Sequence, residues 1–263
     1  MNAREHYQAG DLQEAIAAAT AEVKKNPAQT ATRGFLCELL CFAGELERAD
    51  KQLETLSIQN PETAIGVALF RQLIRGETAR QQFFNEGRVP EFLHEPTPAM
   101  RSLLEASIRI RENDLPAASE LAAQAEEQRP KVSGTLDGAA FDDFRDLDDL
   151  TASVFEVLTS TGKYYWVPVE RVSSLIFHPP ERPHDLIWRR AGMEVADGPE
   201  GDVYLPTLYP GTGRSGDDKL RLGRATDWQG DDGEPVRGLG LRTYLIGEDD
   251  RTILQLGEIE FGQ

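Results

Sequence analysis

The chain has 263 residues, with 28 Lys plus Arg against 45 Asp plus Glu, a formal charge of −17. That balance excludes a nucleic-acid partner, because phosphate binding needs a basic footprint, and favours protein partners with basic patches. No run of 18 apolar residues offers a membrane-spanning helix, and the polar opening MNAREHYQAGDLQEA lacks the apolar core of a signal peptide, so the protein is expected to be cytoplasmic and not inserted in a membrane.

The first half carries an internal repeat. Gly10, Ala15 and Pro27 recur as Gly44, Ala49 and Pro61, each 34 residues on, in the segments AGDLQEAIAAATAEVKKNP and AGELERADKQLETLSIQNP. A third copy, ENDLPAASELAAQAEEQRP, ends at Pro130, and the unit from about Ile65 to Leu93 is degenerate. A 34-residue helix–turn–helix period is that of tetratricopeptide repeats, whose hairpins stack because none buries its apolar face alone. The glycines suit the interhelix turn, the alanines close packing, and each proline ends the second helix. Phe35, Leu36, Leu39, Leu40 and Phe42 form an apolar stripe on one of these helices. Cys37 and Cys41, four apart on it, read as buried free thiols. The aromatic stretch Phe83-Phe84 and Phe92, among Pro90, Pro96 and Pro98, reads as an irregular connection, either a packed loop or a docking lip.

After Pro130 the composition shifts. Residues 131–140 read as a linker. FDDFRDLDDL has five Asp in eight residues but no EF-hand spacing, and Leu147, Leu150, Val154 and Leu158 follow at helical intervals, so an Asp-capped helix is expected over 145–159. Beyond Gly162 the pattern turns to strands: 163–169, 173–177, 185–191, 203–208, 220–222, 240–246 and 252–259, separated by Gly, Pro and Asp-Gly. The fold class is thus α+β: a repeat domain over 1–135 and a β-rich module over 136–263 that opens with a helix and forms a small twisted sheet or partial barrel. The Gly-rich stretches 210–218 and 230–238 are its rim loops.

No catalytic constellation is complete. His178 and His184 lie in a Pro-rich loop without matched ligands, and there is no nucleophile elbow or phosphate-binding lysine loop. Asp227, Asp231, Asp232 and Glu234 have the spacing of a solvated acidic turn. No cofactor or metal is implied. What recurs is Arg beside Trp, Tyr and Asp: Arg182, Asp185, Trp188 and Arg189, then Tyr209, then Arg221, Arg224, Asp227 and Trp228. Such residues either tie loops internally by bidentate Arg–carboxylate pairs or form a partner surface; with Phe83 and Phe84 they are the partner-binding candidates.

RPHDLIWRRA, DGPEGDVYLPTLYPG, LRLGRATDW and VRGLGLRTYLIG, in this order behind tetratricopeptide-like hairpins, resemble the ImpE family, also called TagJ or SciE-type proteins, accessory components of bacterial type VI secretion systems. The resemblance implies a cytoplasmic, non-catalytic adaptor that associates with the small sheath subunit and, in some members, with the ClpV-type AAA+ ATPase. A repeat groove suits an amphipathic helix from such a partner. The competing expectation is a hydrolase with its site in the rim loops of the β-rich half.

Overall fold

The computed structural model describes residues 1–262. Helices α1 (Ala3–Ala9) and α2 (Leu12–Lys25) form one hairpin, α3 (Thr30–Phe42) and α4 (Leu46–Gln59) a second, and α6 (Pro98–Arg111) and α7 (Leu115–Gln128) a third. Between the last two lies one helix, α5 (Ala64–Glu86), where the repeat pattern degenerates. The turns obey one rule: Gly10, Gly44 and Asn113 all take positive φ, 93°, 71° and 61°. Asn tolerates this left-handed conformation, so the third copy keeps the turn without a glycine. Ala15, Ala49 and Ala118 are fully buried, which allows close helix approach. Both cysteines are buried free thiols, and burial pushes Cys37 up to about 12.

The remaining chain is β-rich. An eight-stranded antiparallel sheet runs β2-β1-β13-β6-β7-β8-β4-β5, from β1 (Gly134–Leu136), β2 (Ala139–Phe141), β4 (Val154–Leu158), β5 (Tyr164–Pro168), β6 (Val172–Phe177), β7 (Trp188–Val195), β8 (Glu200–Pro206) and β13 (Glu258–Phe261). It has two free ends, so it is open rather than a barrel. Beside it stand a three-stranded sheet of β3 (Phe144–Asp146), β11 (Thr243–Ile246) and β12 (Asp249–Thr252), and a hairpin of β9 (Thr226–Gln229) and β10 (Arg237–Gly240). A short helix, α8 (Asp218–Arg221), precedes the hairpin.

Strand alternation explains how the halves join. On β4, Val154, Glu156 and Leu158 point to one face and Phe155 and Val157 to the other, because side chains alternate along a strand. The first face continues through Tyr164, Trp166, Trp188 and Tyr204 and shares one core with α1–α6. The second packs on Phe144, Tyr244 and Ile246 of the three-stranded sheet. β4 is therefore buried throughout. Among the described residues no helix is long and apolar enough to cross a membrane.

Three expectations are corrected. Residues 145–159 are not a helix but β3, a turn and β4. The Asp side chains hold the turn: Asp148 N donates to Asp146 Oδ1 at 3.0 Å and Leu150 N to Asp148 Oδ1 at 2.9 Å. Such local side-chain bonds offer the backbone an alternative to helix. The module does not open with a helix or a linker, since residues 131–140 include β1 and most of β2. Asp137 and Gly138 join them with φ of 50° and 83°, the signature of a two-residue type I′ hairpin turn. Residues 220–222 belong to the end of α8 and its cap rather than to a strand.

Candidate functional site

Two features lie between the helices and the sheet: a buried ionic seam and an open groove. The seam starts on α5, where Glu77 and Arg80 occupy the inward phase with Leu73 and Ile74. Arg80 donates bidentately to Glu156 of β4, at 2.9 Å for both bonds, and also to Glu77 Oε1 at 3.1 Å and to the Leu208 carbonyl at 3.0 Å. Glu77 accepts from Trp188 Nε1 at 3.1 Å. Glu156 also accepts from Arg242 and from the Tyr164 hydroxyl, which accepts from Trp166 Nε1 at 2.6 Å. Arg242 bridges onward to Asp146, whose Oδ1 accepts from Tyr209 Oη at 2.8 Å. Burial opposes ionisation of both acids, but two guanidiniums on Glu156 outweigh it and hold that carboxyl down at about 2. Asp146 goes the other way, up to about 6, because burial dominates and Asp148 repels it while Arg242 opposes.

The four motifs of the second half contribute Trp188, Tyr209 and Arg242 to this seam. Trp188, Arg189, Tyr209, Arg221 and Phe83 are buried. Arg189 donates to the His178 carbonyl at 3.3 Å and to the Ile253 carbonyl. Arg221 pairs with Asp218 at 3.1 Å. Phe83 stands edge-on to Trp166 at 4.8 Å, and Phe84, half-buried, lies under the guanidiniums of Arg80 and Arg237. Phe83 and Phe84 thus end α5 rather than sit in an irregular connection. Interior burial leaves Phe83, Trp188, Arg189, Tyr209 and Arg221 no free face for a partner in this conformation. Arg224 is exposed and donates to the Gln8 carbonyl at 3.0 Å and to that of Tyr7, tying the module to the C-terminal end of α1. Arg182 is exposed, and Asp185 accepts from the backbone N–H of Glu181 and Arg182 at 2.9 and 2.8 Å. Asp227 and Trp228 are exposed on β9.

Glu77, Arg80, Asp146, Glu156 and Arg242 were not among the sequence candidates. Their one signal was charge at positions whose apolar phase predicts core, Glu77 and Arg80 in α5 above all.

A second contact joins the repeat turn to a rim loop. A Cβ on Gly213 would lie 2.9 Å from Gly44 Cα and 3.0 Å from its N, backbone atoms that cannot move aside. Gly213→Ala is therefore expected to cost about 1–3 kcal/mol in thermal unfolding. Gly216→Ala, where nothing lies within 4 Å, is the neutral control.

The groove has a volume of about 600 Å³ and runs between α3–α5 and the segment from His178 to Asp185. Its floor is apolar, with Leu53, Leu56, Val67 and Phe70, and Glu38, Glu181, Arg182 and Arg190 stand on its rim. His184 stacks on Phe70 at 4.9 Å and its Nδ1 meets Glu38 Oε1 at 2.8 Å; His178 faces Asp202 at 3.5 Å. Gly34 and Gly66 line the groove from within helices, and a Cβ on either would meet only open space. Glycine costs about 1 kcal/mol relative to Ala inside a helix, so both keep volume open at some expense in helix stability. Ile65, one turn before Leu69, is 88% exposed and extends the apolar strip beyond the groove.

Tetratricopeptide-type hairpins sealed by an ionic seam to an open antiparallel module define a two-part repeat protein with a groove at the junction. Comparison with known proteins agrees for both parts: residues 6–73 match the tetratricopeptide repeat model and residues 138–260 the ImpE protein model. The chain is 31% identical, over 99% of its length and 91% of the relative's, to the type VI secretion system accessory component TagJ of Pseudomonas aeruginosa. A crystal structure of a Vibrio parahaemolyticus protein, 29% identical, superposes with a TM-score of 0.93 over 99% of this chain and 97% of that one. The chain belongs to the ImpE/TagJ family.

Proposed function

We propose that the chain is a cytoplasmic, non-enzymatic adaptor of a type VI secretion apparatus that holds an amphipathic helix of the small sheath subunit in the groove at the helix–module junction, with the ClpV-type ATPase as a second partner. The observation that carries this reading is the groove itself. An apolar floor between rims of both charge signs suits a helix with one apolar face and mixed charges beside it. Two glycines inside helices keep it open. The accessory role of the Pseudomonas aeruginosa relative supports the same reading.

The hydrolase reading has less support. The buried carboxylates with displaced ionisation, Asp146 and Glu156, are each bonded to a guanidinium and line neither the groove nor the smaller cavity of about 180 Å³ beside Arg80. Among the described residues no group of three or more His, Cys, Asp or Glu is placed to hold a metal ion.

Gly34→Gln with Gly66→Gln tests the groove. Both side chains enter open space at helical positions, so the melting temperature is expected to hold or rise slightly. Affinity for the purified small sheath subunit, measured by calorimetry, is expected to fall by about tenfold or more, the loss of some 1.4 kcal/mol. Unchanged affinity would place the helix elsewhere, and no binding by the wild-type chain would refute the adaptor reading.

A further inference from the structure

The β9–β10 hairpin stands apart from both the eight-stranded sheet and the groove. Its base is held rigidly. Buried Asp148 accepts from Arg237 Nε at 3.1 Å and from Gly238 N at 3.0 Å. Asp149 clamps Val236 from both sides: its Oδ2 accepts from Val236 N at 2.7 Å, and its own N donates to the Val236 carbonyl at 2.9 Å. The Tyr209 ring fills the place of a Cβ on Gly238, 2.2 Å from where that atom would fall, and lies 5.7 Å from the Trp228 ring.

On this base the hairpin presents apolar surface to solvent. Trp228 is 39% exposed and Val236 42%. Trp228 pairs directly with Gly238, so Val236, two residues before Gly238, projects to the same side as Trp228. Among the Phe, Tyr and Trp side chains of the described residues, Trp228 is the one that is exposed. The loop beside it is acidic, and the cations that flank it are engaged elsewhere, Arg237 with Asp148 and Arg224 with the Gln8 and Tyr7 carbonyls. From Ala225 to Val236 there are Asp227, Asp231, Asp232 and Glu234 and no Lys or Arg.

We propose that this hairpin face is a second docking surface, separate from the groove, which takes a protein segment presenting Lys or Arg side chains around an apolar anchor. An exposed Trp on a rigid support is the residue type that dominates binding hot spots, and little ordering is needed to use it. The apolar face calls for an apolar anchor in the partner, and the surrounding acids for cations beside it. Such complementarity sets encounter rate and partner choice more than affinity. The surface is independent of whatever fills the groove.

The test uses the full chain labelled with 15N at tryptophan. Trp166 and Trp188 are fully buried with their indole N–H groups bonded to Tyr164 and Glu77, so they are internal controls for Trp228. The probe is a synthetic peptide of alternating Lys and Leu, with a Glu–Leu peptide as its counterpart. The Lys–Leu peptide is expected to shift the Trp228 indole resonance saturably, to leave the other two in place, and to weaken by about tenfold in Asp231→Asn with Asp232→Asn. Both aspartates are exposed, and neither forms an ion pair among the described residues. Trp228→Ala, followed by anisotropy of the labelled peptide, should lose binding to a similar extent. No saturable shift, an affinity unchanged by the double substitution, or an equal response to the Glu–Leu peptide would overturn the proposal. None of these variants touches the groove, so small-sheath-subunit binding measured in parallel separates failure of this surface from failure of the adaptor reading.

Discussion

Glu156→Gln is expected to destabilise the protein by about 3–5 kcal/mol, the usual cost of removing one partner from a buried ion pair. The amide keeps the shape but leaves Arg80 and Arg242 converging on a neutral group that is 0% exposed as a side chain. Arg80 would retain Glu77 and Arg242 would retain Asp146, so the loss is partial, and chemical denaturation should show a lower midpoint without a change of fold. The substitution also changes the acid limb. Glu156 ionises at about 2 in the folded chain against an ordinary value of 4.5, so its stabilisation is complete above pH 4.5 and disappears as pH falls towards 2. Those two and a half units correspond to on the order of 3 kcal/mol. Asp146 acts in the opposite sense. Raised from 3.8 to about 6, it binds its proton more tightly when folded, so stability rises as pH falls from 6 through 4. Wild type should therefore hold or gain stability down to about pH 4.5 and lose it below. In Glu156→Gln the fall below pH 4.5 should flatten, and melting curves across that range check it.

The two Arg-flanked tryptophans should separate cleanly. Trp188→Ala removes a fully buried ring that stands edge-on to Phe70 at 5.9 Å and donates to Glu77. A cavity of that size costs about 3–5 kcal/mol. The melting temperature should then drop by roughly 10 °C, since each kcal/mol is about 2–4 °C at this chain length. Truncation also leaves the Glu77 carboxylate one donor short at the junction of the halves. Trp228→Ala, on the exposed hairpin, should change stability by less than about 1 kcal/mol, its contact with Tyr209 being the main loss. Equal melting of both variants would contradict this division between interior and surface.

That contrast marks what the sequence could reveal. Trp188 and Trp228 sit in similar local company, each with Asp and Arg within a few positions, and nothing in that company says that one faces α5 and the other faces water. The helix expected over 145–159 failed for a related reason. Leu147, Leu150, Val154 and Leu158 recur at helical spacing, yet the β-branched and aromatic composition of VFEVL and the turn-forming Asp residues before it decide for strand once a sheet is present to bury both faces. The Asp137-Gly138 pair is a two-residue hairpin signal within a stretch whose composition otherwise suggests a linker.

What the sequence by itself determined is local. The 34-residue register, the positive-φ turns at Gly10 and Gly44 and the helix ends before Pro27 and Pro61 follow from backbone sterics acting over a few residues. The strand candidates at 163–169 and 173–177 follow from residue type in the same way. The tertiary structure alone decided the seam and the groove. Arg80 meets Glu156 across 76 positions, and Arg242 meets Glu156 and Asp146 across 86 and 96. Glu38 meets His184 across 146. No periodicity spans such distances. A charge can enter the core only where folding delivers its counter-charge, because desolvation is tolerable only in a bonded pair.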